Sequence, residues 1–370
     1  MVDINLSDID PALIPPGMSP EDIENLIGAY YYSCNEVTPT CPVTATTLGY
    51  YPIRGINIFF TVAFCLAFVA TLVVGIWKKT WSYTAFIAAG CALELAGYAA
   101  RVPLSDNPWN KKAFETQIVA IILAPTLICI SIYLTLKHVC LAINPSLSKI
   151  RPHLYPFIFV PLDVSCLLVQ AIGGALAAGG GVKNIELVNH GNRAIIAGIV
   201  LQVVVLGLFG FVAGGYFLRV KRWIKTNEAD AEAVALWRDR KFRLFVYAVT
   251  GAYSGILVRC IYRIAEMAGG WGNHIMQDEP SFIVLEGFMV LIPCILLAAF
   301  PAGILFPQMA ARMSAGRKKV GSGDVEEKAP PQPATQVSAG VEDSRTGVVD
   351  VEKPTVVPTA AEAQSREESV

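Results

Sequence analysis

Seven apolar stretches, each reaching or approaching the length needed to cross a bilayer, run through residues 55–306, and several carry ionisable residues in their interiors. The stretches cover 55–77, 81–100, 115–136, 155–178, 194–218, 244–268 and 282–306. About 20 helical residues span the hydrocarbon core, and only helices or closed barrels keep every backbone amide paired there. The chain is therefore expected to be an all-α integral membrane protein, a bundle of seven transmembrane helices. Composition agrees, with 54% hydrophobic and only 16% charged residues, a combination rare in soluble domains. Only Lys78, Lys79 and Thr80 separate the first two stretches, which predicts a tight helical hairpin. Pro125, Pro161, Gly173, Gly174, Gly207, Gly210 and Pro293 fall inside stretches. They do not argue against helices, because neighbouring helices re-satisfy the freed backbone groups.

Net charge is −1, so nothing in the overall balance points to nucleic acid, but the charges are unevenly placed. One set of connections holds Lys78, Lys79, Lys137, Lys149 and Arg151, the 219–243 loop with eight Lys and Arg residues, and Arg312, Arg317, Lys318 and Lys319. The opposite set holds Arg54, Lys111, Lys112, Lys183 and Arg193. Seventeen against five places the first set in the cytosol by the positive-inside rule. The N-terminus is then outside and the C-terminus cytosolic.

Three segments follow: an outer tail over 1–54, the helical domain over 55–306, and a cytosolic tail over 307–370. The outer tail is acidic and lacks a basic region followed by an early apolar core, so no cleavable signal peptide is expected. It contains Asn5-Leu6-Ser7, which makes Asn5 a glycosylation candidate if that tail is lumenal. It also contains Cys34 and Cys41, a candidate disulfide pair where oxidation is permitted, with two free thiols as the alternative. The other seven cysteines have no metal-like spacing and read as small core residues. From Ala311 onward Gly, Pro, Ser, Ala, Glu and Lys dominate, a composition expected to be disordered.

The second stretch places Glu94, Tyr98 and Arg101 at i, i+4 and i+7, on one helix face. Gly90 and Gly97 lie on an adjacent face and admit a close neighbour. The sixth stretch holds a matching set, Arg259, Tyr262, Arg263 and Glu266, and Glu286 and Gln117 enter the same layer from the seventh and third. Ionisable groups in hydrocarbon cost at least ~2.5–3.5 kcal/mol on insertion scales and face partners or wet cavities. One reading is internal neutralisation, with Arg259 or Arg263 paired to Glu266, Glu286 or Glu94. Yet Glu94, Asp163, Glu266 and Glu286 outnumber Arg101, Arg259 and Arg263 by one, so one carboxylate is either protonated or open to a cationic ligand. Asp163 and Gln170 share a face in the fourth stretch. Asp163 is either a helix cap after Pro156 and Pro161 or an inner acidic station for a cation or proton. Gln202 is expected to hydrogen-bond between helices.

Several absences argue against an enzyme. His138, His153, His190 and His274 are all expected in loops, leaving an intramembrane zinc hydrolase without ligands. There is no Gly-x-x-x-x-Gly-Lys-Ser/Thr phosphate loop. The seventh stretch has neither a lysine for retinal nor an Asn-Pro-x-x-Tyr switch, and the third lacks the acidic-Arg-aromatic triplet of G-protein-coupled receptors. Neither cofactor nor metal is expected.

The order of motifs is more specific than any one of them. Glu94…Gly97-Tyr98…Arg101, Gln117…Ala124-Pro125…Tyr133, Asp163-Val-Ser165…Gln170…Gly173-Gly174, Gly198…Gln202, and Arg259…Tyr262-Arg263…Glu266…Gly269-Gly270 followed by Glu279 together resemble the fungal RTA-like lipid-translocating exporter family. The resemblance covers residues 50–306. It implies a seven-helix plasma-membrane protein that exports sphingoid long-chain bases or confers resistance to aminosterols and other amphipathic toxicants. Two departures stand out. Glu286 replaces an aspartate, keeping the charge with longer reach, and Phe300-Pro301-Ala302 replaces His-Pro-Gly, removing a titratable residue.

The reading is thus an exporter or translocase of amphipathic lipids, most directly sphingoid long-chain bases or related cationic amphiphiles. Glu94, Glu286 and Asp163 would contact the amine or relay protons, and Arg259, Arg263 and Glu266 would form an outer gate. The alternative is a seven-helix lipid-sensing receptor that signals through a cytosolic partner at the 219–243 loop and the tail.

Overall fold

The computed structural model describes residues 30–31, 33–180, 184–226 and 229–306. Asn5 and the 307–370 tail lie outside the described residues. Seven long helices form, each apolar and long enough to span a membrane. They are α1 (Arg54–Lys78), α2 (Trp81–Asp106), α3 (Lys111–Ile143), α4 (Leu154–Gly180), α5 (Ile185–Trp223), α6 (Arg240–Ala268) and α7 (Glu279–Leu305). Among the described residues the one β feature is an isolated bridge between Thr38 and Cys41. The protein is an all-α, multi-pass membrane bundle.

Packing follows chain order, each helix against the next, and α7 closes the ring on α1. Helix α3 also touches α6 and is the most enclosed: 67% of its most apolar window is buried, against 28% for α1 and α4. Outward faces are apolar, with Leu66, Val73, Phe157 and Phe211 all exposed, as expected where the surrounding solvent is lipid rather than water.

Small residues set the closest approaches. Side-chain atoms added to Gly90 or Gly97 would meet Ile128 or Ile121 of α3 at 2.6 Å. On α5, a Cβ at Gly191 would lie 2.5 Å from both the Gly173 carbonyl and the Ala177 amide of α4. Lipid tails are as apolar as the side chains, so backbone proximity of this kind drives helix pairing. The α1–α2 turn closes with Lys79 in the left-handed region (φ 57°), its N–H reaching the Gly75 and Ile76 carbonyls.

Helices overrun the apolar stretches that predict them. Helix α3 continues to Ile143 and α5 to Trp223, because amphipathic turns remain helical beyond the hydrocarbon. His138 and His190 consequently sit in helices rather than loops. The 219–243 segment is likewise mostly helical: α5 runs into it, a short helix spans Ala231–Arg238, and α6 starts at Arg240. Cys65 is exposed, unlike the six other free cysteines, which are buried.

Gly191→Val is expected to force α4 from α5 and destabilise the bundle by about 1–3 kcal/mol. Thermal unfolding of detergent-purified protein measures this; an unchanged midpoint would show that the close contact does not set helix packing.

Candidate functional site

Pro125 lacks an N–H, so the carbonyl of Ile121, four residues earlier in α3, loses its helical donor. The Arg259 guanidinium of α6 fills that gap, its Nη2 donating to the Ile121 oxygen at 2.8 Å. The same guanidinium donates through Nε to Glu286 Oε1 at 2.9 Å, and Nη2 also reaches that oxygen. Glu286 lies in a π-helical turn, Ile283–Phe288, between α-helical parts of α7. Such single π turns occur frequently at functional sites. Arg259 is 3% exposed and Glu286 1%, so the pair sits wholly inside the bundle.

Glu94 of α2 completes the cluster. It is 1% exposed and lies in electrostatic range of both Arg259 and Glu286. Its Oε1 and the Glu286 Oε2 have no hydrogen-bond partner. Glu286 thus holds the guanidinium directly, while Glu94 is a second buried carboxylate in the field of that pair. One turn along α2, the Tyr98 ring stacks on Phe60 and Phe64, with centroids 4.7 and 5.5 Å away, and its hydroxyl is unpartnered.

Further along α6, Arg263 Nη1 donates to Glu266 Oε2 at 2.6 Å. This pairing is within one helix, whereas Arg259 pairs between helices. Asn273 caps the end of α6 by donating to the Glu266 and Gly270 carbonyls at 2.5 and 2.9 Å. Arg101 donates from Nη2 to the Tyr50 hydroxyl at 2.5 Å, lies 3.9 Å from Glu279 and sits over the Phe282 ring at 4.1 Å. Burial raises the Tyr50 phenol above its ordinary pKa while Arg101 draws it partly back, so Arg101 meets a neutral acceptor.

The segment bearing Tyr50 is fastened to the bundle. A disulfide joins Cys34 to Cys41, the Trp109 indole donates to the Cys41 carbonyl at 3.2 Å, and Asn107 Nδ2 donates to the Asn35 carbonyl at 2.7 Å. The Ile53 N–H donates to Glu279 at 2.8 Å.

On the other side of Arg259, neutral amides take over. Gln170 Nε2 donates to Gln202 Oε1, and Gln202 Nε2 to the Thr126 hydroxyl, each at 3.1 Å, linking α4, α5 and α3. Deeper still, Tyr133 donates to Asp163 Oδ2 at 2.7 Å, leaving Oδ1 unpartnered. Asp163 does not cap a helix: α4 begins at Leu154 and runs through Pro161.

Two small cavities border this seam. One is lined by Tyr50, Arg101, Gln117, Arg263, Glu266 and Trp271, among others. The second lies against Gln170, Gln202, Arg259 and Arg263. Arg263 borders both. The structure thus gathers Glu94, Arg259 and Glu286 in one cluster, Arg101, Gln117, Arg263 and Glu266 around one cavity, and Gln170 and Gln202 in one relay, while Asp163 stands apart with Tyr133. Tyr262 stays near Glu266 with its hydroxyl unpartnered. Tyr50, Thr126 and Trp271 were not legible as site residues. Pro125 carried one usable signal, a freed carbonyl at Ile121 in need of a donor.

A closed ring of seven apolar helices around inward-facing charged and amide side chains defines a multi-pass membrane protein with a polar interior. A family model described as "RTA1 like protein" matches residues 87–309, and the chain belongs to this RTA1-like family. It is 29% identical over 254 residues to the sphingoid long-chain base transporter RSB1 of Saccharomyces cerevisiae (strain Lalvin EC1118 / Prise de mousse), covering 62% of this chain and 66% of the relative. Protein RTA1 of S. cerevisiae is 28% identical over 222 residues, covering 60% and 66%, and protoporphyrin uptake protein 1 of that yeast is 31% identical over 235, covering 62% and 71%. The match thus spans just under two thirds of the length of the first two relatives. No solved structure matches.

Arg259→Met is expected to strand Glu286 and cost about 3–5 kcal/mol of stability. Adding Glu286→Leu removes the stranded charge and should recover most of the loss. A double-mutant cycle in thermal or denaturant unfolding checks this; additive losses would mean that the pair is not coupled.

Proposed function

We propose that this protein translocates amphipathic lipids, most directly sphingoid long-chain bases or related cationic amphiphiles, across the membrane. The observation that carries the reading is a second buried carboxylate, Glu94, in the field of the hydrogen-bonded Arg259–Glu286 pair, with an unpartnered oxygen on each carboxylate. A long-chain ammonium supplies the missing cation. Its alkyl tail remains in lipid, which suits a seam whose outer walls are apolar. The printed name of the RSB1 relative, a sphingoid long-chain base transporter, supports that substrate class.

In this reading the amine is met by Asp163 toward the cytosolic side, passes the Gln170–Gln202 amides and is received by Glu94 and Glu286 toward the outside. Arg263, which borders both cavities, and its partner Glu266 act as a gate. The Lys and Arg distribution supports an arrangement with the Tyr50 end outside and the 219–243 end in the cytosol, and the plasma membrane is the site where export would relieve lipid or toxicant stress. The chemistry required is binding and movement rather than bond cleavage.

Proteoliposomes containing only this protein are expected to move a fluorescent long-chain base between leaflets, and Glu94→Gln to lower the rate at least about tenfold, as removal of a charge-assisted contact implies. Unchanged movement in Glu94→Gln sinks the assignment of the site. Binding without movement favours the lipid-sensing alternative.

A further inference from the structure

We infer that the cavity bordered by Tyr50, Arg101, Gln117, Arg263, Glu266 and Trp271 is a hydroxyl-recognition subsite for an amino-alcohol lipid head group. The inference rests on the transport reading and adds a specificity element to it. Helices α2, α3, α6 and α7 line the cavity, and Tyr50, from the disulfide-bearing segment, borders it.

Arg101 is 1% exposed and Gln117 4%, and each leaves one hydrogen-bonding atom unpartnered: Arg101 Nη1, a donor, and Gln117 Oε1, an acceptor. Leaving such groups unmet inside a protein costs about 1–3 kcal/mol each, and both line the same cavity. A hydroxyl both accepts and donates, so its chemistry matches both requirements. A carboxylate, or a phosphate in its dianionic form, only accepts and would set negative oxygens against Gln117 Oε1. An ammonium only donates and would confront the Arg101 guanidinium.

Local charge points the same way. Arg101 and Arg263 bring two positive charges to the cavity, while Glu266, bonded to Arg263, and Glu279, 3.9 Å from Arg101, bring two negative. The balance favours a neutral group here and leaves the ammonium to Glu94 and Glu286. Phe114, Trp271 and Phe282 supply apolar wall, the usual composition of a site in which a few polar groups confer specificity. A ligand lacking the hydroxyl leaves both buried groups unpaired, and sites built around a hydroxyl reject such analogues strongly.

The full-length protein in lipid nanodiscs is titrated with a long-chain 2-amino-1,3-diol and with the primary alkylamine of equal chain length, each competing against a fluorescent long-chain base. Wild type should bind the diol about 10–100-fold more tightly than the alkylamine. Gln117→Leu should bring that ratio to within about threefold of unity, and Arg101→Met should do the same. If Arg101→Met fails to fold, Gln117→Leu alone decides. Equal binding of both ligands by wild type, or discrimination that survives Gln117→Leu, overturns the subsite and leaves the transport reading standing. Binding of neither ligand overturns both.

Discussion

The bundle is organised around one guanidinium. Arg259 must be surrounded by acceptors because it lies in an apolar interior, and two groups provide them: the Glu286 carboxylate and the Ile121 carbonyl that Pro125 leaves without a helical donor. Three helices, α3, α6 and α7, are pinned at that point. The proline and the π turn each look like a local defect, yet they supply respectively the free carbonyl and the turn from which Glu286 reaches inward. With Arg259 committed to these partners, Glu94 is left in its field without a hydrogen-bonded cation of its own.

That asymmetry organises the polar groups of the interior. Toward Tyr50 the arginines are held by carboxylates and a phenol. In the middle, Gln170, Gln202 and Thr126 form a neutral relay, and beyond it Asp163 is held by a single tyrosine hydroxyl. Incomplete pairing runs through the series, with unpartnered atoms on Arg101, Gln117, Glu94, Glu286 and Asp163. A polar group entering such a seam would exchange one partial partner for another, which lowers the cost of leaving water. Binding that is distributed and moderate at each point is also what permits release.

Much of this was legible in the residues. Apolar length alone identified the seven spans, since few other arrangements accommodate such stretches, and the seven-residue spacing from Glu94 to Arg101 and from Arg259 to Glu266 placed each set on one face. Helix ends were less legible. Hydropathy marks where hydrocarbon stops, not where backbone hydrogen bonding stops, so α3 and α5 run on and carry His138, His190 and part of 219–243 into helix. Asp163 resembled a cap because two prolines precede it, but a membrane helix absorbs Pro161 without ending.

The sequence by itself determined the seven helices, their order and the identity of the buried ionisable residues, because hydropathy and helical period are local properties. Tertiary structure alone decided the pairings. Arg259 chose Glu286 over Glu94, Arg263 turned to Glu266 within its own helix, and Tyr50 came in from a distant segment to meet Arg101. Those choices depend on where helix axes cross and which way each side chain reaches. These are set by the packing of small residues and by a carbonyl freed at one proline, and the spacing along any single helix does not encode them.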